Sequence, residues 1–97
     1  MRGGTYRITE DTALIRSGKP VRLYGASITS GATAAKVSFR NGTAATDTLI
    51  YEGHGEPNLT VDATDIPAEG IFFPAGLFVD IDANATAVVC FAELVTG

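Results

Sequence analysis

Ala35-Lys36-Val37-Ser38-Phe39-Arg40-Asn41-Gly42 decides the fold class of this chain. Apolar and polar side chains alternate strictly in it. Val37 and Phe39 fall on one side and Lys36, Ser38 and Arg40 on the other, the period of a strand with one buried face. Asn41-Gly42 follows at once, and this dipeptide favours a turn because both residues reach positive φ at little cost, opening either a tight hairpin or a wide loop. A helix would need apolar positions recurring at three and four residues. No window of the chain sustains that for the ten or more residues of a typical helix.

Working outward, the same rhythm recurs every eight to twelve residues. Upstream, Val21-Arg22-Leu23-Tyr24-Gly25-Ala26-Ser27-Ile28-Thr29 places Val21 and Leu23 on one face but Ile28 on the opposite parity. One extra residue, a bulge at Gly25, returns Ile28 to that face. Thr5-Tyr6-Arg7-Ile8-Thr9 and Thr12-Ala13-Leu14-Ile15-Arg16 precede it, closed by a turn at Ser17-Gly18-Lys19-Pro20. Downstream come Thr48-Leu49-Ile50-Tyr51, Asn58-Leu59-Thr60-Val61, Ile71-Phe72-Phe73 and Leu77-Phe78-Val79-Asp80-Ile81-Asp82. Glu52-Gly53-His54-Gly55-Glu56-Pro57, with two glycines and a proline, reads as loop. Thr86-Ala87-Val88-Val89-Cys90-Phe91-Ala92-Glu93-Leu94-Val95 is apolar on both faces, as expected of a strand covered on both sides.

About eight strands in 97 residues predict one all-β domain, an antiparallel two-sheet sandwich of jelly-roll or immunoglobulin-like type. Residues 1–4 are expected to form a flexible arm. The expected core is Tyr6, Ile8, Leu14, Val21, Leu23, Ile28, Val37, Phe39, Leu49, Tyr51, Val61, Phe72, Leu77, Val79, Ile81, Val89 and Phe91.

Composition narrows the function. A net charge of −4 lacks the basic excess that drives binding to nucleic-acid phosphates. No apolar run reaches the ~20 residues of a membrane span, so neither a nucleic-acid nor a membrane partner is expected. With 45% hydrophobic and 19% charged residues the chain has the makings of a folded core. The opening Met1-Arg2-Gly3-Gly4-Thr5 lacks the apolar segment of a secretory signal, which points to synthesis in a cytoplasm.

Chemistry-bearing residues are sparse. His54 is the single histidine, so neither a His-based metal site nor a histidine pair is expected. Cys90, the single cysteine, lies among apolar neighbours and reads as buried filler rather than as a nucleophile. Asp80 and Asp82 share a strand face. The run onward to Thr86 matches a calcium loop only at its start, lacking its Gly and its closing Glu. Asn41-Gly-Thr43, Asn58-Leu-Thr60 and Asn84-Ala-Thr86 have glycosylation spacing but read as turn chemistry. No enzyme, cofactor or catalytic residue is expected. All seven basic residues lie in the first 40 positions and ten of the eleven acids after position 10. That asymmetry suggests a basic edge of one subunit meeting an acidic surface of the next.

The Val21–Gly31 stretch with its "LYG", the Ala34–Thr43 hairpin and Gly70-Ile71-Phe72-Phe73-Pro74-Ala75-Gly76-Leu77-Phe78-Val79 together resemble small β-sandwich structural proteins of tailed bacteriophages, especially those of aquatic hosts. The resemblance spans roughly residues 21–94. It implies a virion protein assembled in the host cytoplasm: a capsid decoration (cement) subunit bound to the major capsid protein, or a tail, neck or fibre component. Another class of function, a carbohydrate-binding sandwich, would need exposed aromatic faces. Limited core size and open sheet edges predict self-association, with a trimer favoured. The expected interface residues are Arg2, Arg7, Tyr24, Phe73 and Phe78.

Overall fold

The computed structural model describes residues 4–14, 18–63 and 66–95, and it is all-β. Nine strands form two antiparallel sheets: β1 (Gly4–Ile8), β2 (Thr12–Leu14), β3 (Val21–Ser30), β4 (Lys36–Asn41), β5 (Thr48–His54), β6 (Thr60–Asp62), β7 (Ile71–Phe73), β8 (Leu77–Ile81) and β9 (Ala85–Leu94). Sheet A has the order β1-β9-β3-β6, with β7 also on β3; sheet B has the order β2-β8-β4-β5. β7 pairs with Val21–Leu23 and β6 with residues 27–29 of the same strand, so the two fill the place of one interrupted strand. Counted that way there are eight positions, ordered first–last–third–sixth in one sheet and second–seventh–fourth–fifth in the other. This is the jelly-roll order, in which every connection but the β4–β5 hairpin crosses between the sheets. Gly4 pairs with Ala92 in β1, so the strand begins inside the expected arm; residues 1–3 lie outside the described residues.

The core lies between the sheets, with Phe39, Phe73, Leu23, Ile28, Leu77, Val21, Val37, Val79, Val88 and Cys90 fully enclosed. The Gly25 bulge is present: Leu23 pairs with Ala92 and Gly25 with Phe91, leaving Tyr24 as the extra residue. Val21, Leu23, Ala26 and Ile28 all turn inward as a result. Asn41-Gly42 opens a wide loop rather than a two-residue turn. Asp47 Oδ2 accepts from the backbone N–H of Thr43 and Ala44 at 2.8 and 3.0 Å, and Gly42 has φ 151° with no room for a Cβ beside the Asp47 side chain.

Several expected core positions are corrected. In β9 the inward residues are Val88, Cys90 and Ala92, while Phe91 is 46% exposed and Val89 partly so. A stretch apolar at both parities carries no signal of which side faces in, and β9 is covered on one side only. Phe72 and Phe73 exchange roles for the same reason. Pairing with Val21 turns Phe73 inward to 0% exposure, and Phe72 is left 41% exposed. Leu49 is exposed because a register shift between Phe39 and Arg40 pairs Arg40 with Leu49, leaves Ile50 as the extra residue and reverses the parity of the residues before Tyr51. Tyr6, Tyr51 and Ile81 border the core, and Val61 is only partly buried. Glu52-Gly53-His54 is strand, not loop. A Cβ on Gly53 would lie 2.7 Å from Ile28 Cδ1, so this glycine permits close approach of the two sheets.

Candidate interaction surface

The outer face of sheet A carries the most unusual set of side chains in the molecule. Cross-strand register sets Phe72, Arg22 and Glu93 in one row. Gly25, Phe91 and Thr5 form the next, and Asp62, Ser27, Val89 and Arg7 the third. Alternation explains their orientation, since each flanks a residue that points into the core. The Arg22 guanidinium carbon stands 5.1 Å from the Phe72 ring centroid, a cation–π contact, and its Nη1 donates to the Glu69 carbonyl at 3.4 Å. The Tyr24 hydroxyl donates to Glu93 Oε2 at 3.1 Å. Desolvation first, then the hydrogen bond and charge of Glu93, push the Tyr24 phenol above its ordinary value. Ser27 Oγ donates to Asp62 Oδ1. Among the described residues none of Arg7, Arg22, Asp62 and Glu93 has an ion-pair partner.

Sheet B presents the opposite case. Arg40 Nε meets Asp80 Oδ2 at 3.3 Å, Lys36 Nζ lies 3.8 Å from Glu52, and His54 Nε2 lies 3.3 Å from the same carboxylate. Ser38, on the outward parity, is nonetheless buried between Glu52 and Asp80 in register. Among the described residues the basic side chains of the early chain do not gather into a basic edge. Antiparallel pairing sets early strands against late ones, with Arg22 in register with Glu93 and the Arg40 side chain reaching Asp80 on the neighbouring strand, so both signs are interleaved in each sheet.

The expected interface residues separate accordingly. Arg7 and Tyr24 belong to the outer face of sheet A. Phe73 is in the core and its neighbour Phe72 takes the surface place. Phe78 is half-buried on sheet B, paired with Ala13 and Arg40. Arg2 lies outside the described residues. Sequence reading missed Phe91, Phe72, Arg22 and Glu93; the doubly apolar pattern of β9 was the available signal.

Other candidates resolve into structural roles. Cys90 is fully enclosed, and burial pushes its thiol up to about 12, so no reactive thiolate exists at neutral pH. Asp82 accepts from the backbone N–H of Lys36 and Asn84, both at 3.0 Å, and Asp80 is held by Arg40. Among the described residues no three acid, His or Cys side chains converge as metal ligands. Asn41 Oδ1 accepts from the Ala75 N–H at 2.7 Å and Asn58 takes φ 59°, both turn functions. A cleft of about 330 Å³ opens between the sheet edges beside Ile28, Gly53, His54 and Val61. His54 is exposed there, its Nε2 3.3 Å from Glu52 Oε1. Comparisons of the chain with protein-family models, curated proteins and solved structures give no match.

Proposed function

We propose that this chain is a structural subunit of a tailed-phage virion, a capsid decoration protein that binds the major capsid protein and copies of itself and carries no catalytic centre. The observation that supports the reading is the outer face of sheet A. It is a broad strand surface with exposed Phe72 and Phe91, and among the described residues its four charges Arg7, Arg22, Asp62 and Glu93 have no ionic partner. Aromatic and arginine side chains are the usual anchors of protein interfaces, and an assembly subunit works through packed surface alone. The jelly-roll order is compatible, since viral capsid domains use it, although lectin domains do as well. Mass spectrometry and cryo-EM of purified particles test the proposal. Hundreds of copies on the head are expected. A copy number in small multiples of three or six would move the chain to the tail, neck or fibre, and absence from particles would reject a virion role.

The carbohydrate-binding alternative draws on the same two exposed phenylalanines, because aromatic rings stack on apolar sugar faces. A glycan array returning one specific ligand, lost in Phe91→Ala, would favour it.

A further inference from the structure

We infer that the outer face of sheet A is the contact between two copies of this chain, related by a two-fold axis running parallel to the strands between β3 and β9. The inference names the partner of the surface described above and rests on reading it as an assembly surface. The contact itself is a property of the isolated protein.

Register carries the argument. A two-fold in that position keeps each row and exchanges columns, so β9 faces β3 of the second copy and β1 faces β6. In the first row Glu93 then stands opposite Arg22 of the second copy, and in the third row Arg7 stands opposite Asp62. Each pairing occurs twice, so the four charges of this face, none of which has an ionic partner among the described residues, each gain one. In the middle row Phe91 faces Gly25 of the second copy. Gly25 takes no positive φ, so its missing side chain serves space rather than backbone geometry. Phe91 of the same protomer already comes within 3.3 Å of where a Cβ on Gly25 would be. A two-fold perpendicular to the strands fails this test: it sets Glu93 against Val89 and Arg22 against Ser27, and pairs no charges. The face is electrically balanced on a chain of net charge −4, so copies approach there without local repulsion.

Size fits a modest dimer. A strand of ten residues is about 33 Å long, and four strand positions span about 15–19 Å. The contact therefore buries on the order of 500–600 Å² per copy, near the lower bound of a specific interface. The trimer expected from the sequence requires a contact between two different patches, whereas this face is self-complementary.

Sedimentation of the purified protein is the test, with association expected at micromolar concentration and weakening as salt rises. Arg22→Glu places glutamates opposite each other twice, and Glu93→Arg does the same with arginines. Each is expected to weaken self-association at least about tenfold, while an equimolar mixture of the two variants forms a heterodimer close to wild-type strength. Arg7→Glu with Asp62→Arg repeats the design away from the Arg22–Phe72 contact, in case an Arg22 variant folds poorly. A monomer at about 100 µM, a trimer, or a dimer indifferent to all four substitutions would overturn the inference. So would a mixture no stronger than its components. Particle incorporation is read separately: absence from particles with the dimer intact removes the virion role and leaves the two-fold contact standing.

Discussion

Phe72 and Phe73 are neighbours of one chemical type with opposite fates, one laid under Arg22 at the surface and the other sealed between the sheets. Phe73→Ser is expected to cost at least the ~3–5 kcal/mol of a buried Phe truncation. Phe72→Ser gives up little beyond a cation–π contact of about 0.5–1 kcal/mol. Urea denaturation of the two variants checks this, and equal losses would show the β7 register to be wrong. Cys90 supplies a second contrast. Its thiol should not react with a chromogenic disulfide reagent in the native state and should react at once in denaturant. Its folded value is raised from 9.0 to about 12, so its stabilising contribution is complete below pH 9. The contribution is lost progressively as pH rises toward 12, because the unfolded chain releases the proton first. A steeper alkaline loss of stability than in Cys90→Val is the expected outcome.

Strands differ in how plainly they could be read. β4 was legible because Val37 and Phe39 alternate with polar residues, and the Gly25 bulge followed from a parity conflict that one inserted residue resolves. β9 and β7 were not: where both faces are apolar, orientation is fixed only by the strand alongside, here β3. Gly53 shows another limit. A glycine between a glutamate and a histidine reads as loop from composition, yet here it thins the sandwich where Ile28 of the facing sheet presses close. Gly53→Ala is therefore expected to cost about 1–3 kcal/mol by overpacking. Ile28→Val in that background removes the crowded Cδ1 and should recover part of the loss. A double mutant no better than additive would place the strain elsewhere. The candidate surface was half legible: Arg7 and Tyr24 could be named from the chain, but Phe91 and Phe72 needed the register.

The sheet order was not legible, because it depends on which distant edges meet. β1 and β9 pair although they lie at opposite ends of the described chain, and β1 protects residues 88–92 along one side of β9. Deleting residues 1–8 removes Ile8 from the core and bares the backbone donors and acceptors of β9. Such an open edge templates pairing with other chains. A lower Tm and concentration-dependent light scattering are expected; an unchanged, monomeric and soluble truncation would contradict the pairing. β9 also lies between β1 and β3, which have no hydrogen bonds to each other without it. On the ribosome, both flanking strands emerge long before the strand that joins them. Sheet A therefore closes only after residues 85–94 have left the exit tunnel. Every nascent chain passes through a stage in which the sandwich has one finished wall at most, and a chaperone has that interval in which to hold it.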